Sequence, residues 1–207
     1  SKIYKKDEMI FLHRQNNINK KIENYGVEID LRYNGDIVLN HDLLESDQKY
    51  PLLNNKIDFF VKNIPIICNI KESGIEEKIA KILRDYDYYF LDSQIPDILR
   101  LSKNGYEGRF IIRVSDVETL NKELIKISKP KYAWIDYSKF SEFDLKLYKE
   151  FIINIKLNLK NITPILVSPE LYDLSYLKLI NEIQNILPKG FFICTKEPTI
   201  WMDYVQS

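Results

Sequence analysis

The sequence predicts an α/β protein, a compact (β/α)8 barrel formed by one domain over 1–207, and three observations lead there. Eight short apolar runs recur along the chain, each is followed by a polar or glycine-containing break, and the stretches between them carry apolar residues three and four apart. Runs this short, rich in β-branched and aromatic side chains, read as strands buried on both faces, as in a parallel sheet. Spread over 207 residues, eight units have about 26 residues each, near the lower size limit for such a barrel. A doubly wound open sheet is the alternative, but its glycine-rich phosphate turn is missing after the first run. With 45% hydrophobic and 29% charged residues, the composition is that of a globular chain with a core. Thirty basic against thirty acidic side chains give zero net charge, which removes the electrostatic case for nucleic acid or an anionic membrane as partner.

The first run, 9–12, ends at His13 and Arg14. The stretch 15–21 after it is too polar to face a core, so the first helix is short or missing. The second run, 27–31, leads into Asn34-Gly35-Asp36, a strong hairpin signal, and then the alternating Ile37-Val38-Leu39. A β-hairpin therefore follows strand 2, with the helix of that unit near 50–62. The third run, 64–70, is followed by Ser73-Gly74-Ile75-Glu76, which reads as a helix start ahead of Ile75, Ile79, Ile82 and Leu83. Between the runs 88–91 and 109–114, Ile95, Ile98 and Leu99 mark a helix stopped by Asn104-Gly105. Ser115-Asp116-Val117-Glu118 and Ser141-Glu142-Phe143-Asp144 read as the starts of the next two helices, on either side of the run 132–135. After the run 163–167, Ser168-Pro169-Glu170 opens a helix periodic from Leu171 to Leu187, closed by Pro188-Lys189-Gly190 before the last run, 190–194.

Cys68 and Cys194 each sit inside an apolar run and read as reduced core residues. Trp134 reads as strand core, Trp201 and Met202 as part of a last helix, and the 14 tyrosines mostly as packing. The first residues, Ser1 to Glu8, lead into only four apolar residues and show no secretory signal. No apolar run approaches the roughly 20 residues that span a bilayer. The expectation is a cytoplasmic chain without stable membrane insertion; oligomeric state is not legible.

In a barrel, functional residues sit at the C-terminal strand ends. Those positions hold His13, Arg14, Glu28, Asp30, His41, Asp42, Asn69, Lys71, Glu72, Asp92, Ser93, Arg113, Asp136, Ser168, Thr195 and Lys196, and so include both histidines of the chain. Glu28 and Asp30 are two apart on a strand and share a face, pointing inward if Val27 and Ile29 pack outward. Two inward carboxylates repel unless a cation neutralises them, and hard oxygen donors suit Mg²⁺ or Ca²⁺; a salt bridge to Lys71 or Arg14 without metal is the alternative. The histidines titrate near neutrality, so one could accept a proton while the other donates one. Arg14 and Lys71 add fixed positive charge for an anionic group. Together these groups describe a phosphodiester site.

Phe11-Leu12-His13-Arg14, Gly26-Val27-Glu28-Ile29-Asp30-Leu31-Arg32 and the hairpin from Asn34-Gly35-Asp36 to His41-Asp42 resemble the glycerophosphodiester phosphodiesterase family. Asn69-Ile70-Lys71 looks like its third-strand Glu-x-Lys, and Thr195-Lys196-Glu197-Pro198 like its closing Thr-Asp-x-Pro. The clear match covers 9–72. The resemblance implies metal-assisted hydrolysis of a small phosphodiester to a phosphomonoester and an alcohol. It makes His13 and His41 the acid–base pair, Arg14 and Lys71 the phosphate-binding residues, and Glu28, Asp30 and Asn69 the ligands of one divalent cation, Mg²⁺ or Ca²⁺.

Two positions and one segment depart from the pattern. Asn69 replaces the usual third carboxylate, with Glu72 or Asp92 as candidate substitutes. Lys196 stands where an acid is common, and the segment from His13 to Glu28 is short. Two other outcomes therefore stay open: a barrel that binds a phosphorylated ligand without turnover, and a lyase or transferase that forms a cyclic phosphate.

Overall fold

Nine strands alternate with short helices in the computed structural model, which describes residues 8–207. The stretch 1–7, where the absence of a secretory signal was read, lies outside the described residues. The strands are β1 (Ile10–Leu12), β2 (Gly26–Tyr33), β3 (Ile37–Leu39), β4 (Ile66–Ile70), β5 (Tyr88–Leu91), β6 (Phe110–Val114), β7 (Tyr132–Ile135), β8 (Thr163–Val167) and β9 (Phe192–Thr195). Hydrogen-bonded neighbours follow the order β1-β9-β8-β7-β6-β5-β4-β2-β3, with a further β1–β2 pairing. That is the connectivity of a (β/α)8 barrel, with β3 added as an antiparallel strand on β2. All eight apolar runs and the hairpin strand are therefore strands, as the sequence predicts.

The helices are α1 (Glu76–Ile82), α2 (Ile95–Leu101), α3 (Lys122–Ser128), α4 (Leu145–Asn158), α5 (Ile180–Ile186) and α6 (Met202–Gln206). No helix follows β1, in line with the polar stretch 15–21. The helix expected near 50–62 is reduced to two single turns, Leu53–Asn55 and Ile57–Phe59. Pro51 and the Asn54-Asn55 pair disfavour a longer helix, while buried Leu53 and Phe60 anchor the segment by packing alone.

Several helix starts are displaced from their serines. Ser73 does not cap α1 but donates to Asp97, 2.8 Å away. The Ser115 hydroxyl accepts from the amides of Val117 and Glu118 in a turn that goes no further, and α3 starts later, capped by Asn121. α4 is capped by Asp144, whose carboxylate accepts from the Leu147 amide. The periodic stretch after Ser168 splits into short turns before α5 begins.

The chain divides into two compact units, one of residues 12–112 and 121–130, the other of 8–11, 113–120 and 131–207. In the first unit, β2, β4 and β5 pair in parallel, with Asp30 opposite Asn69 and Asn69 opposite Leu91. Val27, Ile29, Leu31, Ile66, Cys68 and Ile70 pack with Ile79, Ala80 and Leu83 of α1 in one core cluster. In the second unit, β7, β8 and β9 pair in parallel, beside an aromatic cluster of Tyr137, Phe140, Tyr148 and Phe151. Cys68 and Cys194 are fully buried. Trp134 and Trp201 are buried as well. Among the described residues, no helix is long and apolar enough to cross a membrane.

Candidate active site

Alternation along β2 sorts its side chains. Val27, Ile29 and Leu31 join the helix-facing core, so Glu28, Asp30 and Arg32 face the other way, as predicted for the carboxylate pair. Ile67 and Asn69 occupy the corresponding face of β4, since Ile66, Cys68 and Ile70 belong to the same core. Glu28 and Asp30 are each only 1% exposed. Carboxylates so deeply buried need partners, because removing each ion from water costs several kcal/mol.

Those partners come from the loop after β1 and the end of β4. The Arg14 amide donates to Glu28 Oε2 at 3.0 Å, and His13 Nε2 approaches the same oxygen to 3.5 Å. Arg14 Nε lies 3.4 Å from Asp30 Oδ2 and Lys71 Nζ 3.7 Å from Asp30 Oδ1. Asn16 adds a reciprocal pair: its Nδ2 donates to Asp30 Oδ2 at 2.9 Å, and its Oδ1 accepts the Asp30 amide at 2.8 Å. The Gln15 amide donates to the Glu28 carbonyl at 2.8 Å, so residues 14–16 line up along β2. To reach this arrangement Arg14 adopts φ +49°, a left-handed conformation costing an ordinary residue about 1–2 kcal/mol. Burial and the neighbouring Asp30 push the Glu28 carboxyl up to about 8, against the opposing influence of Arg14 and Lys71.

His41 reaches this neighbourhood through the hairpin. The Asn40 amide donates to the Asp30 carbonyl at 3.1 Å, and the His41 carbonyl accepts from Arg32 Nε and NH2 at 3.3 and 2.8 Å. The ring Nδ1 of His41 lies 2.9 Å from Asp42 Oδ1. That bond and the charge of His41, together with Arg14 and Arg32, hold the Asp42 carboxyl below its ordinary value. His13, Arg14, Glu28, Asp30 and Lys71 are thus joined by direct contacts, whereas His41 is tied in through backbone bonds to Asp30 and Arg32.

Asn69 lies in register with Asp30, and its buried Oδ1 has no hydrogen-bond partner among the described residues. Glu72, one candidate substitute for a third carboxylate ligand, is engaged elsewhere: Oε2 accepts the Tyr33 amide at 3.1 Å and Oε1 lies 3.5 Å from Arg32 NH1. Asp92, the other, is exposed at the end of β5 with φ +64°. No cluster of three His, Cys, Asp or Glu side chains able to hold a metal occurs among the described residues. The donors present, two buried carboxylates and an unpartnered amide oxygen, are nonetheless the hard oxygens that Mg²⁺ or Ca²⁺ prefers, so Glu28, Asp30 and Asn69 fit such an ion.

The strand-end residues of the second unit have partners of their own. Arg113 pairs with Asp136, which also accepts from Tyr172, and buried Glu170 accepts from Ser168, Thr195 and the Lys196 amide. The sequence assigns no role to Asn16 or Arg32. Asn16 lies in a polar stretch with no periodicity, but Arg32 was legible: it continues the two-residue spacing of Glu28 and Asp30.

No family model and no curated protein matches the sequence. Among solved structures, the chain is similar to a glycerophosphodiester phosphodiesterase from Thermotoga maritima, at 16% sequence identity and a TM-score of 0.61. The likeness covers 94% of this chain and 98% of that one. At this identity it carries the fold, the barrel that the eight apolar runs predict.

Proposed function

We propose that the chain is a phosphoric diester hydrolase of one catalytic domain, cleaving a small glycerophosphodiester-like substrate to a phosphomonoester and an alcohol. The observation that carries the reading is the network of His13, Arg14, Glu28, Asp30 and Lys71 on the inner face of β2 and the adjacent strand ends. The fold shared with a glycerophosphodiester phosphodiesterase supports it.

Arg14 and Lys71 bind the phosphodiester anion, and their charge offsets the negative charge that builds on phosphorus oxygens in the transition state. Asp30 fixes both cations in place, and Glu28 holds the Arg14 backbone through its amide. Of the two histidines, one takes the proton of the attacking water, and the other gives a proton to the departing alkoxide, so the P–O bond to the alcohol breaks as the new P–O bond forms. Asp42 orients His41 through Nδ1. Glu28, Asp30 and Asn69 would hold Mg²⁺ or Ca²⁺, which supplies Lewis-acid polarisation of the phosphoryl group. A second reading, a barrel that binds a phosphorylated ligand without turnover, is favoured by the amide at Asn69, which lowers the charge available for a metal.

The test is hydrolysis of glycerophosphocholine followed by phosphorus NMR, with Mg²⁺, Ca²⁺ or excess chelator. The expected result is release of a phosphomonoester that requires the divalent ion and falls by about 10²–10⁴ in His13→Ala or His41→Ala. Unchanged turnover in both variants would overturn the assignment. Tight binding of the diester with no turnover under either metal would establish the second reading, and a persistent cyclic phosphate would mark a lyase course.

A further inference from the structure

We infer that Arg32 is a positioning residue for the proposed reaction, a strut that sets the spacing between His41 and Lys71. The inference rests on the reading above and adds a residue to it. Arg32 follows Glu28 and Asp30 on the same face of β2 and is 8% exposed. Its guanidinium works in two directions. Nε and NH2, on one edge, converge on the His41 carbonyl at 3.3 and 2.8 Å, and NH1 faces Glu72 Oε1 at 3.5 Å.

Each end of the strut sits beside a residue of the site. Glu72 follows Lys71, and its other oxygen accepts the Tyr33 amide at 3.1 Å, while the Lys71 amide donates to the Leu31 carbonyl at 3.1 Å. The stretch carrying Lys71 is therefore fastened to β2 at three consecutive residues, Leu31, Arg32 and Tyr33. At the other end, His41 lies on the connection after β3, with its side chain 38% exposed and its ring leaning on the exposed Asp42. Arg32 joins the backbone of that connection to the Lys71 side of the site through one rigid plane. A lysine has neither the planar fork nor the two convergent donors.

A half-buried charged pair such as Arg32 with Glu72 is weak evidence for stability, since it is partly screened by solvent and apolar residues of similar volume often serve as well. Placement of His41 supplies the missing reason. A catalytic group displaced by about 1 Å costs on the order of 10²-fold in rate.

The experiment uses the whole chain and the variants Arg32→Gln, Arg32→Lys and Glu72→Gln. Because the chain has two histidines, its imidazole proton NMR spectrum holds two sets of ring signals, assigned with His41→Ala. In Arg32→Gln the His41 signals shift or broaden while those of His13 keep their positions. With glycerophosphocholine as substrate, kcat falls roughly 10- to 100-fold and KM stays within about two-fold. Arg32→Lys restores the melting temperature but not kcat. Unmoved His41 signals, or recovery of kcat by lysine in step with the melting temperature, would overturn the strut. Should Arg32→Gln not fold, Glu72→Gln decides by the same NMR readout: a His41 displacement supports the strut and its absence overturns it. Moved His41 signals in a protein without phosphodiesterase turnover would leave the strut standing and remove the proposed reaction.

Discussion

Asn16 offers the most direct test of how the site is held. Its carboxamide makes two hydrogen bonds to one residue, donating to Asp30 Oδ2 at 2.9 Å and accepting the Asp30 amide at 2.8 Å, and both residues are buried. Asn16→Ala removes both. The bond to the charged oxygen contributes about 1.5–3 kcal/mol and the neutral one about 1 kcal/mol, and the groups left behind stay dry, so a loss of about 3–4 kcal/mol is expected. Asn16→Asp keeps the acceptor for the Asp30 amide but sets a second carboxylate against the first, and loses at least as much at neutral pH. The swap Asn16→Asp with Asp30→Asn restores the reciprocal pairing with its polarity reversed. It should recover about 1–3 kcal/mol relative to the sum of the single losses. Turnover should not return, because the carboxylate has left its place between Arg14 and Lys71. Urea unfolding at pH 7 measures each difference. A cost below about 1 kcal/mol for Asn16→Ala, or a swap no better than additive, would refute the reasoning that Asn16 fixes Asp30.

Further expectations concern other buried groups. Tyr148 is fully buried, and its hydroxyl has no hydrogen-bond partner among the described residues, so Tyr148→Phe should stabilise the protein by about 1 kcal/mol in urea unfolding. Burial raises its phenol well above the ordinary value, as it does for Tyr172 and Tyr204; the native protein should therefore lack at least three titrating tyrosines near pH 10 in the ultraviolet, Tyr148→Phe should remove one of them, and denaturation should restore them. Burial, with a smaller contribution from Glu28, also pushes the Cys68 thiol up, and Cys194 is equally buried, so neither should react with an aromatic disulfide reagent at pH 8 until the chain unfolds. Asn69→Asp places a third negative charge in register with Asp30; Ca²⁺ or Mg²⁺ should bind more tightly, by calorimetry, and the metal-free protein should be less stable than the parent.

The barrel was legible because parallel strands buried on both faces leave a strong signal, eight apolar runs bounded by polar breaks. Helix boundaries were less so. Ser73, Ser115 and Ser141 have the composition of caps, but their hydroxyls or neighbours find other partners: Ser73 turns to Asp97, and Ser115 closes a local turn. A capping signal states what a side chain is able to do, and tertiary neighbours decide which bond it makes. The same limit applies at the site. Glu28 and Asp30 followed from strand alternation, and His13 with Arg14 from their place at a strand end. Asn16 could not be found, because its role depends on a left-handed turn at Arg14 that folds the chain back along β2.

The charges around β2 also bear on why an amide stands at position 69. Glu28 and Asp30 set two carboxyl groups against the two positive charges of Arg14 and Lys71, and with the Glu28 carboxyl pushed up to about 8 the four residues carry no net negative charge near neutral pH before any ligand arrives. A third carboxylate would offset more of the positive charge of Arg14 and Lys71 and leave less of it for a phosphodiester unless a divalent ion were already bound. With Asn69 the cations stay available to the substrate instead of being spent on a further acid. Binding of the anion then needs no prior metal. In the proposed reaction, a divalent ion held by Glu28, Asp30 and Asn69 would then contribute less to substrate capture than to the transition state, where the charge on the phosphoryl oxygens is greatest. If the proposed reaction holds, a barrel that keeps the paired carboxylates but has Asn69 at the third position would hold its divalent ion weakly and use it late.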